Sequence, residues 1–389
     1  MARRPHLGLL LLATVVLGAS AGVVFPLLPE LQKAYGLPTW SLGVMSAATF
    51  FTNVVSQLVL GSQADRGRAR LMVFLSLGVA GLGLVWFAIG TELWQFVGAR
   101  ALSGIAIGGF SPAARAIVAA TEPERLGHRL GQLAGAELSG FIAGPMLGVA
   151  LVDPFSLKTP FWTIAVIVAL TLIALATQPF PTGIKGGREF RSTTALDLLQ
   201  RREVVVAVLL AVGLFLPVGV YDSLWSRYLQ DRGASVLYTG LSLSAYGVPF
   251  VAFAALGGRL ADRYGPVRSS VAAMVFIVPI VALYGVLPTP GLVVGVAMLE
   301  AVAQAVAVPA SQAAMVRACP PDRVGAGQGL AGAAGQLAAG FTALVAAPVY
   351  GRFGSEAVFG GTAVVIGTIA IVAVALNGGR RAALSGAAR

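Results

Sequence analysis

Of 389 residues, 57% belong to the apolar set and only 11% are charged, with a mean hydropathy of +0.84. Soluble domains carry roughly a quarter charged residues, so a water-soluble globular protein is excluded. The net charge of +11 would point to a nucleic-acid partner in a soluble chain; its placement at the ends of apolar runs assigns it instead to membrane topology, and no nucleic acid is expected.

Apolar runs long enough to cross a bilayer, at ~20 helical residues each, fall at 6–28, 40–62, 71–90, 92–119, 129–152, 161–178, 204–229, 236–260, 268–287, 290–316, 326–349 and 356–377. The alternating pattern of a barrel strand is missing, so helices satisfy the backbone in lipid. The predicted class is an all-α membrane protein of twelve transmembrane helices. Six lie in an N-terminal bundle, 1–178, and six in a C-terminal bundle, 204–389, which ends in a short tail. Residues 179–203 form a cytoplasmic linker.

Arg3-Arg4, the apolar residues from Leu7 and Ala19-Ser20-Ala21 before Gly22 also match a cleavable signal peptide. Cleavage would leave eleven helices and spoil the match between halves, so the run is read as the first membrane helix. The second run carries Ser46, Thr49, Asn53, Ser56 and Gln57 at helical spacing. Such a polar stripe on an apolar helix is expected to line a wet, substrate-binding cavity. The fourth run holds Arg100 with Gly104 and Gly108, and the fifth holds Glu137 among Gly131, Gly140, Gly144, Pro145 and Gly148. Within the linker, Gly183, Gly186 and Gly187 favour flexibility, and 195–202 fits a short amphipathic surface helix. Tyr221, Asp222 and Trp225 lie in the outer part of the seventh run; Tyr246 and Phe250 lie deeper in the eighth, close to Pro249, and are the aromatic candidates for a substrate pocket. The tenth run contains Glu300 with Gln304 one turn on.

Of the 27 Lys and Arg, 21 fall at the N-terminus, in alternate loops, at the helix ends of one side or in the C-terminal tail, five (Lys33, Lys158, Arg227, Arg232, Arg352) fall on the other side, and Arg100 is inside a helix. The positive-inside rule then places both termini in the cytoplasm. Scarce Lys and abundant Ala and Gly fit a bacterial cytoplasmic membrane, where the basic ends favour anionic lipid. The lone Cys319 excludes an intramolecular disulfide. The exterior loops are short, so no ectodomain is expected.

Two phrases are written twice. Gly61-Ser-Gln-Ala-Asp65-Arg66 returns 197 residues later as Gly258-Arg-Leu-Ala-Asp262-Arg263-Tyr-Gly265, and Pro123-Glu-Arg125-Leu-Gly127 returns as Pro321-Asp-Arg323-Val-Gly325. The halves are copies of one unit, an architecture used for alternating access about a site between repeats.

A charge at the bilayer centre costs at least ~2.5–3.5 kcal/mol and marks a functional site by default. Arg100, Glu137, Glu300 and Asp222 are the candidates for proton coupling. From the ~1.5 Å rise per residue and a core of ~30 Å, Arg100 and Glu137 differ in depth by ~6 Å. Glu137 is expected to carry the proton with Arg100 as its partner, the alternative being a permanent ion pair. Glu300 has no evident cation and is the second candidate. Asp222 is the third, unless it simply pairs with Arg227.

The residues resemble those of the major facilitator superfamily, over essentially the whole chain. The signature Gly-x-Leu-Ala-Asp-Arg-x-Gly is complete at Gly258–Gly265, while the first copy departs at Gln63 and Arg68. In the family this loop holds the cytoplasmic side closed, which implies a gating role for Gly61, Asp65, Arg66, Gly258, Asp262 and Arg263. The pattern Gly131, Gly140, Gly144-Pro145, Gly148 is similar to the antiporter signature of the twelve-helix drug:proton branch, departing at Val149. Leu17-Gly18, Pro26-Leu27-Leu28-Pro29 and the Arg100 motif are similar to others of that branch.

The resemblance implies a monomeric, cofactor-free exporter of hydrophobic or amphipathic small molecules such as drugs, driven by the proton gradient. Its partners would be cargo, protons and membrane lipids. The sequence holds no Gly-x-x-x-x-Gly-Lys-Ser/Thr phosphate loop, so neither an ATP-driven pump nor an enzyme is expected, and no metal site. Symport of a nutrient, and a non-transporting membrane sensor or partner protein, are the alternatives.

Overall fold

The computed structural model describes residues 7–63, 67–121, 126–152, 155–177, 195–320 and 323–386. Its helices are α1 (Leu7–Gly22), α2 (Leu28–Ala34), α3 (Trp40–Gln63), α4 (Ala69–Ile89), α5 (Leu93–Thr121), α6 (Leu126–Val152), α7 (Thr159–Thr177), α8 (Arg202–Gln230), α9 (Val236–Tyr264), α10 (Pro266–Tyr284), α11 (Pro290–Ala318) and α12 (Val324–Gly386). The first membrane span runs on past the predicted end at 28. Pro26 and Pro29 tighten it into a short 3-10 turn, Phe25–Leu27, after which α2 continues to Ala34.

Eleven stretches among the described residues are long and apolar enough to cross a membrane. The last, Val324–Asn377, has 54 residues, or ~80 Å of helix, far more than one crossing needs. The backbone leaves the helical region within it at Gly354, φ 77° and ψ −173°. Only glycine adopts that conformation without strain, so α12 is two spans joined at a break, which makes twelve.

Glycine also explains how the repeated turn survives its irregular first copy. In the second half Gly265, φ 92°, turns the chain from α9 into α10, with Pro266 opening the new helix. In the first half, where Arg68 replaces that glycine, Gly67 has φ 79° instead. The glycine has moved by one residue and the positive-φ turn moves with it.

Contacts divide the chain into two units, Met1–Arg191 with Ala234–Ser244, and Ser192–Gly233 with Ala245–Arg389. This differs from the predicted division in two places. The first turns of α9 belong with the first unit, and residues from 192 onward belong with the second. Within the first unit α1 packs on α6, and α4 on α5 and α7; within the second, α8 packs on α12, and α10 on α11 and α12. The pairing scheme therefore repeats, as the sequence duplication requires.

Around both units the large apolar residues that remain exposed, among them Leu58, Leu170, Phe341 and Ile371, form the surface that lipid covers. The predicted surface helix is a 3-10 helix, Ala195–Gln200. It buries Leu198 and is tied to the second unit by Asp197, which accepts from Arg323 Nη2 at 2.8 Å.

Candidate functional site

Glycine sets the geometry of the first unit. Cβ atoms on α6 would collide with α1. One on Gly144 would stand 2.7 Å from the Ala19 carbonyl oxygen, one on Gly148 3.0 Å from that of Val23, and one on Gly140 would fall inside the Val15 carbonyl. From the other side, a Cβ on Gly18 would stand 2.6 Å from the Glu137 oxygen and one on Gly22 2.7 Å from that of Phe141. The motifs of the first and fifth spans are thus two faces of one backbone-to-backbone seam. Gly131 is not part of it and has open space where a side chain would be. Val149, the departure from the signature, has its own counterpart. A Cβ on Gly240 of α9 would stand 2.6 Å from Val149 Cγ1, so a missing side chain on α9 makes room for the extra one on α6.

The polar stripe of α3 serves a second seam, against α5. Thr49 donates to the Arg100 carbonyl oxygen at 3.0 Å, Thr52 to that of Ala101 at 2.9 Å and Ser56 to that of Ile105 at 2.9 Å. Gly108 admits the contact, since a Cβ there would stand 2.5 Å from the Asn53 oxygen. Ser46 is fully buried. Asn53 accepts from Gln57 Nε2 at 2.7 Å, and of these α3 residues only Thr52 and Gln57 are part-exposed. The expectation of a wet, cavity-lining stripe is therefore corrected for Ser46, Thr49 and Asn53, all of them buried. Hydroxyls at helical spacing satisfy a neighbour's carbonyls as readily as they line water.

Arg100 is fully buried. Its Nε donates to the Met45 carbonyl oxygen at 3.3 Å, and its guanidinium lies 5.4 Å from the centre of the Phe25 ring. Glu137 is exposed on α6 and its charged neighbour is Arg115 of α5, about 22 Å along that helix from Arg100. The expected Glu137–Arg100 pair is thus replaced by Glu137–Arg115. Similar depth was not enough, because Arg100 is buried while Glu137 is exposed. An acid and an Arg open at this depth face water rather than acyl chains.

The second unit holds a different arrangement. Glu300 of α11 is 0% exposed. Its Oε2 accepts from Tyr221 of α8 at 2.6 Å and from Tyr284 of α10 at 2.7 Å. Oε1 has no partner in ideal hydrogen-bond geometry among the described residues, and Gln304, one turn along, is the amide near enough to interact with the carboxyl. The Tyr221 ring packs edge-on against Trp225 at 5.2 Å, Tyr284 at 6.2 Å and Tyr246 at 6.5 Å. Tyr246, the sequence candidate, therefore belongs to this cage, while Phe250 is half-buried one turn further along α9. Asp222 is buried on α8, and Arg227 closes on Asp231 at 2.8 Å.

Of the gating residues, Asp65 and Arg66 lie outside the described residues. Asp262 meets Arg317 at 3.3 Å on an exposed surface, Arg263 lies over Tyr264 at 5.2 Å, and Gly258 faces open space. The tight glycine is its neighbour Gly257, where a Cβ would stand 2.7 Å from the Val306 Cα. Tyr284, Arg115 and Gly257 had no sequence signal, and Tyr221 stood out only as an aromatic in the outer part of the seventh run.

The family model described as Major Facilitator Superfamily matches residues 10–225 and 208–387. The Multidrug resistance protein MdtG of Escherichia coli (strain K12 / DH10B) is 29% identical over 294 residues, 70% of this chain and 70% of that protein. Among solved structures, the nucleoside transporter NupG superposes with a TM-score of 0.79 at 14% identity, covering 95% of this chain and 98% of that one. A D-xylose-proton symporter gives 0.73 at 15% identity, covering 94% and 95%. With twelve membrane spans, a duplicated helix-pairing scheme and a family match in each half, this chain belongs to the Major Facilitator Superfamily and is a multi-pass membrane transporter, not an enzyme.

Proposed function

We propose that this transporter is a proton-coupled exporter of hydrophobic or amphipathic small molecules, working as an antiporter in a bacterial cytoplasmic membrane with both termini inside. The observation that carries the reading is Glu300, a fully buried carboxyl held by two phenols on one oxygen, with no partner in ideal hydrogen-bond geometry on the other. Ionised, it is stabilised by two O–H donors. Protonated on Oε1, it keeps both of them. One geometry thus accommodates both states, as a proton carrier needs.

The aromatic residues around it, Trp225 and Tyr246, with Phe250 one turn further along α9, offer flat apolar faces suited to an amphipathic cargo and to a cationic one in particular. The 29% identity to a multidrug resistance protein favours the same cargo class. In this reading Glu300 exchanges the proton, while Glu137 with Arg115 lines the hydrated path, and Asp222 is structural.

The test is purified protein in liposomes with the lipophilic cation tetraphenylphosphonium and an imposed pH gradient. Export is expected to move the cation against the proton, and Glu300→Gln to abolish the proton movement. Proton and cargo moving together would make the protein a symporter. Absence of flux for any amphipathic cargo would favour a sensor or partner role.

A further inference from the structure

Tyr284 closes α10, and both of its polar ends are committed. Its hydroxyl donates to Glu300 Oε2 at 2.7 Å, and its carbonyl oxygen accepts the hydroxyl of Tyr228. Both rings are fully buried. They share Phe359, at 4.8 Å from Tyr228 and 5.5 Å from Tyr284.

Beyond Tyr228, at the loop end of the same unit, stands Arg232. Its guanidinium lies 3.9 Å over the Tyr228 ring, its Nε donates to the Leu287 carbonyl oxygen at 2.8 Å and its Nη2 to Ser355 Oγ at 3.1 Å. Ser355 donates in turn to the Gly285 carbonyl oxygen at 2.9 Å. One side chain therefore stitches together three places: the end of α8, the α10–α11 turn that begins at Tyr284, and the break in α12 beside Gly354.

We propose that Arg232 and Tyr228 are positioning residues for Glu300, forming a clasp that fixes Tyr284 and through it one of the two donors on Oε2 of the proton-exchanging carboxyl. This rests on the reading that Glu300 carries the proton. The geometry is sensitive because a hydrogen bond of 2.7 Å is lost beyond roughly 3.2 Å. A shift of the α10–α11 turn by under an ångström, too small to unfold anything, therefore changes what Glu300 feels.

The titratable groups that interact with Glu300 are Tyr221 from α8, Tyr246 from α9 and Tyr284 from α10, and no charged side chain of α12 is among them. Arg232 acts through Tyr228 and Tyr284 rather than by its own charge.

The experiment is an infrared pH titration of the full-length protein in lipid, following the carboxylic-acid carbonyl band that Glu300→Gln removes. Tyr228→Phe keeps the ring and removes the hydroxyl, and Arg232→Gln breaks the stitches from a part-exposed position. Each is expected to move the midpoint of that band by about one pH unit, the change that follows from weakening one charge-assisted hydrogen bond. Arg232→Lys, which retains the cation over the ring, is expected to recover part of the shift. Arg352→Gln at the same end is expected to have none.

An unchanged midpoint in both Tyr228→Phe and Arg232→Gln overturns the clasp while leaving Glu300 as carrier. If Glu300→Gln removes no titrating band, the carrier assignment itself falls, and the clasp with it.

Discussion

Glu137 and Glu300 are both single acids in the middle of apolar helices, and in the sequence they look alike. In the structure they are opposites. Glu137 is exposed beside Arg115, whereas Glu300 is sealed from solvent and held by two phenols. One carboxyl has a cation as its neighbour, the other oriented dipoles. A carrier must exchange its proton in a defined state of the protein, and only the second environment can be opened and closed by moving a helix end.

The largest expected effect separates the two acids directly. In proton-flux assays Glu300→Gln is expected to lose cargo-driven proton movement altogether, while Glu137→Gln lowers the transport rate and retains coupling. Full loss of coupling in Glu137→Gln with coupling intact in Glu300→Gln would reverse the comparison.

The next effect tests the dipoles. Tyr284→Phe and Tyr221→Phe each remove one donor to an ionisable oxygen, an interaction of about 1.5–3 kcal/mol. Each is expected to slow coupled exchange by about 10- to 100-fold, with cargo binding by equilibrium dialysis changed much less. Equal losses in binding and exchange would make the phenols part of the pocket wall instead.

Glycine sharpens the contrast from the other side, because Glu137 sits on the α1–α6 seam and Glu300 does not. Gly18→Ala would place a Cβ 2.6 Å from the Glu137 carbonyl oxygen, and overpacking of this kind costs about 1–3 kcal/mol. A lower thermal midpoint is expected for Gly18→Ala. Gly131→Ala, with open space around it, is expected to match the parent.

The twelve spans, the repeated turns and the glycine face of the fifth span were legible because each rests on local pattern: hydrophobic length, duplicated words and helical spacing. Partners were not. Glu300 finds its phenols 79 and 16 residues away, and no periodicity announces a tyrosine at the end of an apolar run. The α3 stripe shows where pattern misleads, since Thr49 and Ser56 have the spacing of a wet face and spend it on the carbonyls of α5. Gly104 and Gly108 carried the missing information, but only once α3 and α5 are known to be neighbours.

A third carboxylate, Asp197, lies outside the membrane and gives the smallest effect and the reference for the other two. Its hydrogen bond and ion pair with Arg323 hold its carboxyl below the 3.8 of an unperturbed aspartate. Because the folded value is depressed, the contribution to docking the 195–200 helix is fully present above about pH 4. It is lost as pH falls through the folded value, when the proton displaces Arg323. Limited proteolysis between 179 and 203 is expected to be unchanged from neutral pH down to that window and then to rise. Asp197→Asn is expected to show the raised cleavage already at neutral pH, with no further acid step. Cleavage that stays at the parent's neutral level in Asp197→Asn would assign the docking to the Arg201 contact with the Ala318 carbonyl oxygen, which does not titrate. Asp197 would then be, unlike Glu300, a charge stabilised by water.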